Sequence, residues 1–139
     1  QVTVADASLL DYETAQSHSI TVLATSTDGS VQSQAFSIAV SDDTSEFAVS
    51  AVSDTDGDAN TIAENASNGD VVGITGFASD GDGSDSVSYS LTDDAGGRFA
   101  IDSSTGDVTV ADASLLDFET AQSHSVTVQA TSTDGSVQS

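Results

Sequence analysis

The sequence predicts an all-β protein built as an antiparallel β-sandwich, and three features carry that prediction. Apolar and polar residues alternate with a period of two over most of the chain. Clusters of Gly, Asp and Ser separate the alternating runs. No segment shows a helical stripe of apolar residues. Short alternating strands bounded by such turn chemistry pack as two sheets sharing one core.

The elements follow in chain order. His18 stands at the start of a strand, and "QAFSIAV" (34–40) alternates, which places Phe36, Ile38 and Val40 on one face. The acidic stretch "SDDTSE" (41–46) comes next, then the Asp cluster "SDTDGDAN" (53–60). "DVVGITGF" (70–77), "SVSYSL" (86–91), "RFAI" (98–101), "DVTV" (107–110) and "HSVTVQAT" (124–131) read as strands, with β-branched or aromatic residues on one face of each. In "FAIDSSTGDVTV" Gly106 suits the left-handed position of a short hairpin. "ADASLLDFET" offers a single helical turn after its strand. Tyr89, Phe77, Phe99 and Phe118 fall in or beside the strands and are expected in the core rather than on a sugar-stacking surface.

A long internal repeat orders the whole chain. Residues 2–33 and 108–139 differ only at Tyr12/Phe118, Ile20/Val126 and Leu23/Gln129. The offset is Val108 against Val2, 108 − 2 = 106 residues, the length of an autonomous domain rather than of a solenoid unit. The expected organisation is residues 1–41 as the C-terminal part of one repeat, 42–46 as an acidic linker, and 47–139 as the next repeat, one strand short of closing its sheet. A window of this kind carries no initiator Met, signal peptide or transmembrane run. The strand that closes the second sheet is expected from further along a longer chain, with β-augmentation by another chain as the alternative.

Composition narrows function. There are 23 acidic residues against a single base, Arg98, for a formal charge of −22. Nucleic acid and anionic membrane are excluded as electrostatic partners, because phosphate contacts need Lys and Arg. Self-repulsion of this size opposes a compact state unless cations neutralise it. Cys is absent, so no disulfide is available and a core or a metal must hold the fold. Of the acids, 19 are Asp and only 4 are Glu. Short-armed Asp in Asp-Gly turns suits calcium chelation better than halophilic surface charge does.

The motifs "AENASNG" (63–69), "ASDGD" (78–82), "VSYSL" (87–91), "GRFAIDSSTGDVTV" (97–110), "LLDFE" (115–119) and "VTVQATSTDG" (126–135) stand in the order of a known family. Residues 62–139 resemble a bacterial cadherin-like repeat domain of a large extracellular adhesin, and "LLDYE" (9–13) with its following strand resembles the end of a preceding repeat. The resemblance implies a Greek-key β-sandwich in a tandem array, outside the cell and on its surface, with Ca2+ at the junctions between repeats. It implies as ligands Asp11 and Glu13 from the upstream repeat, Asp42 and Asp43 from the linker, and Asp80, Asp82 and Asp134 from the downstream repeat. Glu64, Asp117 and Glu119 correspond to the next junction along, whose linker would follow Ser139. The linker lacks the proline of the animal family's motif, which leaves the full animal-type metal set unsupported.

The function implied is a calcium-stiffened structural repeat of an adhesin, supporting cell adhesion or biofilm formation, with neighbouring repeats of the same chain as partners and homotypic association as a further mode. Carbohydrate binding by a module of a polysaccharide-active protein and self-association into an extracellular filament are the alternatives. No enzyme is expected: there is no nucleophile elbow, no phosphate-cradling loop and no buried carboxylate dyad. Asp54, Asp56 and Asp58 read as a solvated acidic loop, since Ala59 stands where an EF-hand turn needs Gly, with a local calcium site as the alternative. His18 and His124 occupy equivalent positions and read as surface residues. Arg98 is expected to pair with a nearby acid or to pack its stem.

Overall fold

The computed structural model describes residues 1–139, which divide into two compact units, 1–44 and 45–139. All strand pairings in the molecule are antiparallel, and its helical content is two short 3-10 turns, Ala7–Leu9 and Ala113–Leu115. No helix is long and apolar enough to cross a membrane.

The first unit is a β-hairpin. Strand β1 (Ser17–Thr25) pairs with β2 (Val31–Ala39) over nine rungs, from Ser17↔Ala39 to Thr25↔Val31. Asp28 fixes the connecting turn, accepting from the backbone N–H and the hydroxyl of Ser30. All of β2 is exposed, and Phe36 and Ile38 keep 49% and 44% of their surface in solvent. This hairpin has no core of its own.

The second unit is the sandwich. One sheet has the order β3 (Ser53–Asp54), β4 (Val71–Phe77), β7 (Asp107–Val110), β6 (Phe99–Ile101). The other is β5 (Val87–Asp93), β8 (Thr127–Ser132), β9 (Val137–Gln138). Their inner faces meet in two apolar clusters. Val72, Phe99, Val108 and Val110 are buried with Leu91, Val126 and Val128 of the opposing sheet and its approach against them. Val49, Ala78, Tyr89 and Ala130 form the second cluster, and Val128 touches both. The alternation in "DVTV" explains the pattern, since Val108 and Val110 point inward and are almost fully buried. Val49 ties the start of the unit to its last loop by donating its N–H to Ser136 Oγ at 2.8 Å.

The buried Tyr89 hydroxyl bridges to the other sheet's border. It accepts from Ala78 N–H at 3.1 Å and donates to Ala78 C=O at 3.2 Å. Replacement Tyr89→Phe leaves that buried N–H without an acceptor. The expected loss is about 1–3 kcal/mol, read as a lower urea midpoint at unchanged slope.

Several expectations need correction. Phe77 and Phe118 are 51% and 55% exposed, so two of the four aromatics lie outside the core. Phe77 ends β4 on its outward face, and Phe118 lies beyond the 3-10 turn, where the chain is irregular. The strand expected over 124–131 begins only at Thr127, because Asp93↔Thr127 is the last rung to β5 and residues 123–126 have no strand beside them. Arg98 reaches carbonyls rather than an acid, donating to Leu115 O at 3.0 Å and Ala95 O at 2.6 Å. Both histidines are half-buried, and His124 meets the Phe99 ring edge-on at 6.1 Å.

Candidate metal centre

The acids lie in the loops joining these strands, and the loops are shaped by Asp side chains themselves. Along "SDGDGSDS" Asp80 accepts from Asp82 N–H at 3.0 Å, and Asp82 accepts from Ser84 N–H and Oγ. Asp85 then donates its N–H to Asp82 C=O at 3.1 Å, which folds the loop back on itself. The Thr133 hydroxyl donates to Asp85 Oδ1, joining this loop to "TSTDG". Asp134 caps its own turn by accepting from Ser136 N–H at 2.7 Å.

The result is a three-carboxylate group. One oxygen from each of Asp80, Asp85 and Asp134 lies within 4.8 Å of the others. One oxygen of Asp80 and of Asp85 is engaged locally, while their Oδ2 atoms are buried and have no hydrogen-bond partner. Asp82 is 1% exposed, and its Oδ2 is likewise buried without a donor. Buried carboxylate oxygens that nothing donates to are costly. Crowding three negative charges adds repulsion. A cation removes both penalties. An all-oxygen set with neither Cys nor His fits calcium, which takes hard oxygen ligands from flexible loops, and does not fit zinc. Asp80, Asp85 and Asp134 are the residues that would hold it.

Asp85 is the member that sequence reasoning missed. The spacing D-x-D drew attention to Asp80 and Asp82, whereas the third Asp reaches the group only because the loop turns back after Ser84. The signal present in the sequence was the longer run D-x-D-x-x-D.

A second group forms at Glu64, Asp117 and Glu119, whose ligand oxygens also lie within 4.8 Å of one another and whose residues are all exposed. Glu64 Oε2 accepts from Phe118 N–H at 3.0 Å, which carries "AEN" to the "LLDFE" turn. Asp117 accepts from Thr120 N–H and Oγ1. In the first unit Asp11 is held in the same way by Thr14, and oxygens of Glu13 and Asp42 lie within 4.8 Å of each other. The Asp42 Oδ1 atom is buried without a hydrogen bond.

Asp54, Asp56 and Asp58 do not converge. Asp54 accepts from Asp56, Thr75 and Asn60, and Asp56 accepts from Asp58, so this stretch is a capped turn leaning on β4.

A family model described as Cadherin domain matches residues 58–139, which is more than half of the chain. The chain belongs to the cadherin domain family. No curated protein sequence matches it significantly. The cadherin match contains the whole of both acid groups in the second unit. It accounts for an extracellular, adhesion-type structural module rather than an enzyme, and the sandwich described above is the architecture of that family.

Protonation would set the pH range over which these acid groups could hold a cation. Asp134 sits below the ordinary carboxylate value of 3.8, chiefly because Ser136 N–H donates to it. Asp117 is lowered by the Thr120 hydroxyl and then by Thr120 N–H. A carboxylate lowered in the folded state stabilises it above the unfolded value and loses that contribution as pH falls through the folded value. These two carboxylates, candidates to hold a cation, therefore keep their charge below the ordinary value of 3.8. The calcium-dependent rise in melting temperature should be nearly the same at pH 7 and pH 5 and should be lost only once the pH falls below 3.8. A loss already complete at pH 5 would contradict this assignment of ligands.

Proposed function

We propose that this chain is a calcium-stiffened structural repeat of a bacterial surface adhesin, supporting cell adhesion or biofilm formation. The observation that carries the reading is the buried, donor-less Oδ2 of Asp80 and of Asp85, in a three-acid group that also contains Asp134, within a cadherin-family domain. The near-identity of residues 2–33 and 108–139 supports a tandem array built from one repeat. The linker "SDDTSE", short and without proline, departs from the animal pattern and favours a bacterial array.

In this reading Asp80, Asp85 and Asp134 bind calcium together in the downstream repeat, and the buried Asp82 is a further ligand of that repeat. Asp11, Glu13, Asp42 and Asp43 serve the upstream repeat and linker, and Glu64, Asp117 and Glu119 serve the following junction. Neutralising a charge of −22 and bracing the loops of successive repeats with ions would keep an array extended. Small-angle scattering of the chain tests this. Calcium should give a longer and less flexible particle than EGTA does. Profiles that superimpose in the two buffers would remove the stiffening role.

A further inference from the structure

Five Asp–Gly bonds stand in the chain, at 28–29, 56–57, 80–81, 82–83 and 134–135, beside one Asn–Gly bond at 68–69. Such pairs are prone to one covalent change. The glycine nitrogen, unhindered by a Cβ on its own residue, attacks Cγ of the preceding side chain and closes a succinimide. Asp loses water in this step and Asn loses ammonia. Water then reopens the ring, and attack at the α-carbonyl leaves the main chain running through Cβ as isoaspartate. In a free chain Asn–Gly reacts faster than Asp–Gly, because a carboxylate is a poor electrophile.

Attack requires a free glycine N–H and a side chain that can lie over the peptide. Asn68–Gly69 has neither. Gly69 N–H donates to Val110 C=O at 2.8 Å, and Asn68 Oδ1 accepts from Ala113 N–H at 2.7 Å. Gly29 N–H is held by Ser26 C=O and Gly135 N–H by Ser132 C=O, each at 3.0 Å. Asp82 is 1% exposed, which keeps its carboxyl from the water that the second step needs. At Asp80–Gly81 one Asp80 oxygen is buried and the other accepts from Asp82 N–H. A Cβ on Gly81 would stand 2.8 Å from the Phe47 ring, so that peptide has little room to turn.

Asp56–Gly57 differs in each respect. Gly57 is exposed, its N–H makes no hydrogen bond, and nothing lies within 4 Å of a Cβ placed there. Asp56 Oδ1 accepts from Asp58 N–H at 2.8 Å, which folds the carboxyl group back over the peptide whose nitrogen would attack it. The loop is anchored on either side of this bond. Thr55 N–H donates to Thr75 C=O at 2.9 Å, and the Asn60 amide donates to Asp54 Oδ2 at 3.1 Å. Residues 56–58 between these anchors have slack to take an extra main-chain atom. We propose that Asp56–Gly57 is the isoaspartate-forming site of the folded chain, ahead of Asn68–Gly69. The C–O bond to the hydroxyl of the protonated Asp56 carboxyl breaks as the C–N bond to Gly57 forms, and the Gly57 N–H proton leaves in the released water. Hydrolysis returns that water, so the product keeps its mass and gains one carbon in its main chain. The cap on Asp58 N–H is lost. The core is untouched, because residues 54–60 belong to neither apolar cluster.

Prolonged incubation of the full chain in neutral buffer, with calcium and with EGTA, tests the proposal. Peptide mapping with electron-transfer fragmentation locates isoaspartate, and an isoaspartyl methyltransferase counts it. The folded chain should form isoaspartate at Asp56 first, with Asn68 intact. Product at Asn68 or at another Asp–Gly bond ahead of Asp56 would overturn the proposal. In urea the order should reverse, with Asn68 leading, because the bonds that hold Asn68 and Gly69 are gone. The same order in urea would show that the fold does not choose the site, and would overturn it equally. Gly57→Ala should bring the Asp56 product down to the level of Asp28 with melting unchanged, since Gly57 lies outside the left-handed region and has open space for a Cβ. Product at the native rate would contradict Gly57 N–H as the unhindered nucleophile. Should Gly57→Ala disturb the loop, Asp56→Glu supplies the second arm, because the longer side chain would have to close a larger ring. The methyltransferase count should fall by the share that Asp56 contributes, and a count unmoved by Asp56→Glu would overturn the proposal.

Discussion

Saturating calcium should raise the melting temperature of the second unit by roughly 10–20 °C over the value in EGTA. The magnitude follows from mass action. An ion at about a hundred times its dissociation constant adds roughly 2.7 kcal/mol to the folded state, and each kcal/mol moves a domain of this size by about 4–8 °C. The residue-level pattern is more diagnostic than the size. Asp80→Asn and Asp134→Asn should remove most of the calcium increment. In EGTA, Asp80→Asn should be neutral or slightly stabilising, because it relieves repulsion among three clustered carboxylates. Asp56→Asn should keep the full increment, since Asp56 caps a turn away from either acid group. A core defect would instead lower both melting temperatures together.

Replacement Gly106→Ala should cost the second unit about 3 kcal/mol or more, enough to unfold a domain of ordinary stability at modest temperature. Gly106 has φ +81, where an L side chain is strained. A Cβ there would stand 2.0 Å from the carbonyl oxygen of Gly76. The same approach is stapled by Gly76 N–H donating to Gly106 C=O at 2.9 Å, so the backbone cannot retreat without losing a bond. Gly69 isolates the steric part. Its φ is +92, but nothing lies within 4 Å of a Cβ placed there, so Gly69→Ala should cost only about 1 kcal/mol. Equal urea midpoints for the two variants would show that the contact between Gly106 and Gly76 does not matter.

Much of this architecture was legible in the sequence, and where it was not the reason is physical. Strands over 71–77, 87–93, 99–101 and 107–110 follow directly from alternation, and Gly106 from the turn it punctuates. Residues 123–126 alternate just as well, yet they form no ladder, because a strand needs a neighbour and periodicity does not supply one. Phe77 and Phe118 were misplaced because aromatic character predicts burial only when the residue's face is known. The Asp excess had two sources where one was expected. Asp6, Asp28, Asp102 and Asp112, none of them a candidate ligand, each accept from an N–H two residues on, so local turn capping accounts for part of the Asp excess that had been ascribed to calcium as a whole. Asp80, Asp82 and Asp134 combine both features, capping their turns while lying next to other carboxylates or burying an unpartnered oxygen. That combination is invisible in a linear pattern, and so was Asp85, which a folded-back loop brings to Asp80 and Asp134.

Isothermal titration of the metal-free chain with calcium, beside the double variant Asp80→Asn, Asp134→Asn, decides whether the group of Asp80, Asp85 and Asp134 binds the ion. Saturable binding to the native chain is the expected result, with at least one site lost in the variant, whose circular dichroism in EGTA stays that of the native fold. Titration of the native chain without saturable binding, or an isotherm unchanged in the variant, would contradict it.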